Sequence, residues 1–160
     1  MSSKAVRDKI RVFLSDELSS EKIAEIDGDF EDLKEFLANQ INTVTSVATP
    51  ITMVEPWLGL QYIGDQEQVV SVNANNSSGR YRESGSITLH VVDKAKVGAN
   101  RTILTRCDTI VEKFRGRNID GVRINGIVPA NFSRGATLDF VGGGYVSATV
   151  TLLYEYDRDL

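Results

Sequence analysis

One histidine and one cysteine, His90 and Cys107, are the chain's only conventional carriers of nucleophilic or zinc chemistry. A zinc site needs three or four Cys and His ligands, so two such residues cannot build one. A Ser-His-Asp arrangement would rest on His90 alone. His90 falls in the middle of an alternating stretch beside Thr88 and Val92, where a hydrogen-bonded structural imidazole is a simpler reading than a general base. Cys107 shares an apolar helical stripe with Ile103, Ile110 and Phe114, and no second cysteine or nearby histidine activates it, so it reads as a small core side chain.

The other chemical signals are weaker still. Asp27-Gly28-Asp29 has the opening spacing of a calcium loop but not its ordered ligand set. Gly142-Gly143-Gly144 lies between Phe140 and Tyr145, two strand ends, and lacks the Lys and Ser or Thr of a phosphate loop, so it reads as a turn or bulge. The N-x-[ST] triplets at Asn75, Asn76, Asn100 and Asn131 mean nothing without secretion. No metal, cofactor or catalytic residue is expected. The remaining signal is electrostatic. Residues 15–35 hold nine acids against two bases, whereas residues 101–134 hold seven bases against three acids. The first reads as a solvated acidic face. Lys113, Arg115, Arg117 and Arg123, with Arg80 and Arg82, read either as ordinary solvated surface or as partners for the acidic face of a neighbouring copy. Two opposite patches on one chain suit a head-to-tail contact that repeats around a closed ring.

The elements that must position these residues follow from periodicity. With 160 residues, 41% of them apolar and 25% charged, the chain fits one globular domain, taken here as residues 1–160, with a real core and no need of staples. A net charge of −4 argues against a dedicated binder of DNA or anionic membrane. The N-terminal residues contain no unbroken apolar run, and a soluble, uncleaved, intracellular protein is expected. Val6, Ile10, Phe13, Leu14 and Leu18 predict an amphipathic helix over 3–18, and Phe30, Leu33, Phe36, Leu37 and Ile41 a second helix after Asp29. Residues 42–56 read as an extended connection or edge strand. The period then changes to two. Strands are expected over 57–63 and 68–72, joined by a turn at Gly64-Asp65, then a long polar mobile loop over 73–85 and a strand over 86–92. A helix from about Gly98 or Asn100 to Arg115, stopped by Gly116, precedes strands over 122–128, 137–140 and 145–156. This order describes an α+β fold, a mainly antiparallel (mixed) sheet with helices packed on one face.

Several short runs also share their order with one family. Ala5-Val6-Arg7-Asp8-Lys9-Ile10 opens the chain; Pro56-Trp57-Leu58-Gly59-Leu60 and Gly79-Arg80-Tyr81-Arg82-Glu83-Ser84-Gly85 lead into Ile87-Thr88-Leu89-His90-Val91. A glycine-led helix ends in Phe114-Arg115-Gly116, and Gly121-Val122-Arg123-Ile124, Gly144-Tyr145-Val146 and Tyr154-Glu155-Tyr156-Asp157 follow. Together they resemble the phage tail terminator family, the minor tail proteins similar to the lambda tail terminator. The likeness covers most of 56–157; the acidic segment 19–50 is longer than the family leads one to expect, and its role stays open.

The resemblance implies a structural role without catalysis. Six copies would form a ring that caps the tail tube, stops tube growth and offers a joining surface to the head-side connector. The setting implied is the virion, at the head-tail junction, after assembly in the host cytoplasm. A globule of 160 residues has a radius of gyration of about 15 Å, so six touching copies leave a hole of about 39 Å, wide enough for duplex DNA to pass without specific binding. On this reading Asn73, Asn75, Asn76, Arg80, Tyr81, Arg82 and Glu83 form a subunit-interface or lumen loop. Arg115, Arg117 and Arg123 meet Asp29, Glu31 and Asp32 of a neighbour. A head-completion or tail-tube protein of the same virion is the nearest alternative, with a small enzyme or a binding module behind it.

Overall fold

The computed structural model describes residues 2–25, 56–72, 79–94, 98–131 and 145–159. The first element, α1 (Lys4–Glu17), starts where Ser3, in an extended conformation, accepts a hydrogen bond from the Val6 N–H at 3.4 Å. Its buried stripe, Val6, Ile10 and Leu14, repeats every four residues and continues to Leu18. The chain then enters a short strand, β1 (Ile23–Glu25). Next come β2 (Trp57–Val72), β3 (Gly79–Lys94) and the helix α2 (Ala99–Phe114). After α2 follow β4 (Asn118–Ile119), β5 (Val122–Asn131) and β6 (Tyr145–Asp159). Gly116 ends α2 at φ +64°, a left-handed conformation that glycine adopts without steric cost.

The strands of the described residues form one six-stranded sheet in the order β1-β2-β3-β6-β5-β4. Among the described residues only β1 and β2 run parallel. Alternation sorts the two faces of the sheet. Leu58, Leu60 and Tyr62 of β2, Ile87, Leu89 and Val91 of β3, and Ala148, Val150, Leu152 and Tyr154 of β6 join Ile103, Cys107, Ile110 and Phe114 of α2 and the α1 stripe in one core. The helices therefore cover one face, and Phe13 of α1 packs on Phe114 of α2 with ring centroids 5.0 Å apart. The opposite face carries a semipolar row in which Gln61, Thr88 and Thr151 align across three strands. This is the expected α+β arrangement, a mixed, mainly antiparallel sheet with its helices on one side.

Three local expectations change. The turn at Gly64-Asp65 does not form: β2 runs unbroken for sixteen residues, with an irregularity in register between Gly64 and Gln66. Because β3 continues alongside, the extra residue is absorbed as a bulge rather than reversing the chain. Similarly, Gly79–Gly85 is strand rather than loop, paired with Gly64–Val72 on one side and with β6 on the other. It shows no apolar stripe because its side chains pair by charge. Thirdly, the acidic face is not simply solvated. Glu25 is buried and takes two hydrogen bonds from Arg11, Glu21 takes two from Arg106, and Glu17 pairs with Lys113. Glu25 thereby joins β1 to α1, while Glu17 and Glu21 join α1 and the turn after it to α2. The expected helix after Asp29, the extended run over 42–55, the strand over 137–140 and the glycine triplet lie outside the described residues.

Candidate functional site

The two residues with the most reactive side chains are enclosed. His90 is 4% exposed, and burial lowers its pKa to about 4, so it is neutral at pH 7. Its Nε2 lies 3.3 Å from Gln61 Oε1, which satisfies it structurally. Burial likewise pushes the Cys107 thiol up to about 11. The expected result is a thiol silent toward Ellman's reagent in the folded protein and fully reactive in denaturant; prompt reaction under native conditions would contradict this placement. Among the described residues no three His, Cys, Asp or Glu side chains gather where they could hold a metal ion.

The polar groups that do gather form two knots where β3 and β6 extend past the helices. On the helix-free face, Asp157 of β6 receives Arg82 Nε at 2.7 Å, Arg82 Nη2 at 3.1 Å and Arg123 Nη2 at 3.0 Å. Arg80 stands at 4.0 Å from the same carboxylate and 3.8 Å from Asp159, while Glu155 lies between Arg82 and Arg123. The Asp157 side chain is 8% exposed, and the hydrogen bonds from Arg82, then Arg123, hold its carboxyl far below the usual carboxylate range. The register makes this possible, since Arg82 faces Asp157 directly and Arg123 faces Glu155. On the other face, the Tyr154 hydroxyl donates to Glu83 Oε1 at 2.8 Å and lies 2.7 Å from Ser2 Oγ. The Ser3 N–H donates to the same Glu83 oxygen at 3.0 Å. This second knot ties the start of α1 to the sheet.

The residues singled out from sequence are therefore divided. Arg80, Arg82 and Arg123 belong to one cluster within the chain, and Glu83 belongs to the knot behind it; Tyr81 is half-buried beside them on β3. Arg115 is exposed and pairs with Glu112 at 2.9 Å. Arg117 is exposed, and its carbonyl accepts the Ile124 N–H at the β5 edge. Asn73, Asn75, Asn76, Asp29, Glu31 and Asp32 lie outside the described residues. Asp157 itself escaped sequence reasoning, although one signal was present: acids at 155, 157 and 159 recur at strand spacing, which predicts a single charged face.

Strand order adds what no single residue shows. β1, whose end at Glu25 is four residues from Asp29, occupies one edge of the sheet; β4, between Arg117 and Arg123, occupies the other. The exposed Arg117 stands at the second of these edges, while the acids of residues 27–35 lie outside the described residues.

No family model matches this chain, and no curated protein does. A solved structure matches with a TM-score of 0.50 at 16% identity, covering 98% of this chain and 96% of its own. At that identity the likeness shows the shared fold and nothing further.

Proposed function

We propose that this protein is a phage tail terminator, a structural subunit that closes into a ring, most simply of six copies, and caps the tail tube. The observation that carries the reading is that two unlike strands, β1 and β4, bound the described sheet on opposite sides, with the exposed Arg117 beside β4. A heterologous contact joins two different surfaces of one subunit, and such contacts close into rings when the rotation permits. Two unlike edges on opposite sides of the sheet meet that requirement, and the motif order in the sequence supports the family. DNA would pass through the ring, while the two rims would face the tube and the head-side connector.

Internal pairing narrows which charges serve the contact. Arg82 and Arg123 are taken up by Asp157, so the inter-subunit role falls to Arg117 and, beyond its pair with Glu112, Arg115. Purified protein is expected to sediment as a ring of six times 17.6 kDa and to decorate the ends, not the sides, of tail tubes. Arg117→Glu is expected to cut the ring fraction at least tenfold with the thermal melt unchanged. Wild-type protein that stays monomeric and ignores tube ends would overturn the proposal; long fibres formed by this protein alone would favour a tube subunit instead.

A further inference from the structure

We draw no further inference here: the strongest candidate, the exposed apolar patch of Ile63, Val128 and Leu153 on the helix-free face of the sheet, carries nothing because nothing in the structure shows what covers it.

Discussion

Replacing Gly85 by alanine is expected to destabilise the protein by about 3 kcal/mol, the cost of forcing a methyl group into a fully packed site. A Cβ there would sit 2.3 Å from the backbone carbonyl oxygen of Ile63 and 2.8 Å from the Tyr154 hydroxyl. The first contact can be relieved only by prising β2 from β3. The second displaces the ring that closes the Glu83–Ser2 knot, leaving buried polar groups without partners. For a domain of this size the melting temperature should fall by about 6–12 °C. Gly126→Ala supplies the contrast. Its Cβ would meet only the side chain of Leu153, at 3.0 Å, and that exposed leucine can swing toward solvent, so a change under about 1 kcal/mol is expected. Thermal melts of the two variants side by side check the pair; a Gly85→Ala melt within 2 °C of wild type would contradict the packing described for β2, β3 and Tyr154.

Acidification from pH 7 to pH 4 is expected to remove about 3 kcal/mol of stability through His90 alone. In the unfolded chain the imidazole takes up its proton near pH 6.5, whereas burial in the folded protein holds it off until about pH 4. Between those values the unfolded state binds more protons, so stability is fully present above about 6.5 and declines as the pH falls toward 4. At about 1.4 kcal/mol per unit, the gap corresponds to the figure given. Asp157 acts in a lower window. Its folded carboxyl is held down by Arg82 and Arg123, so its contribution is intact above the ordinary carboxylate pKa and is lost only as the pH falls below about 4. Chemical denaturation of His90→Gln across pH 4–7 isolates the histidine, and its stability should be nearly flat there. A variant that loses as much stability as wild type would assign the acid sensitivity elsewhere.

Both predictions fall on residues whose importance differs in legibility. His90 could be placed from sequence: an imidazole alternating with Leu89 and Val91 had to lie on the face away from the helices. Its near-complete burial could not, because that depends on how the whole sheet is covered. Gly85 looked like the end of a polar loop. Only the pairing of β3 with both β2 and β6 turned it into a site with no room for a methyl group.

What the sequence determined by itself is whatever depends on local periodicity. The four-residue stripe of α1, the stripe of α2 with its glycine stop, and the alternation of β6 are all set within a few turns or pleats, because burying one face constrains every third, fourth or second residue. The mixed α+β class followed from the order of those elements. Tertiary structure alone decided that 64–65 is a bulge, that 79–85 is strand, and that Arg82 and Arg123 converge on Asp157. Each depends on partner strands elsewhere in the chain, as far away as Asp159 is from Arg80, and charged residues in a strand carry no apolar pattern to announce them. The same non-local pairing put β1 and β4 at opposite edges of the sheet, which no local pattern announces.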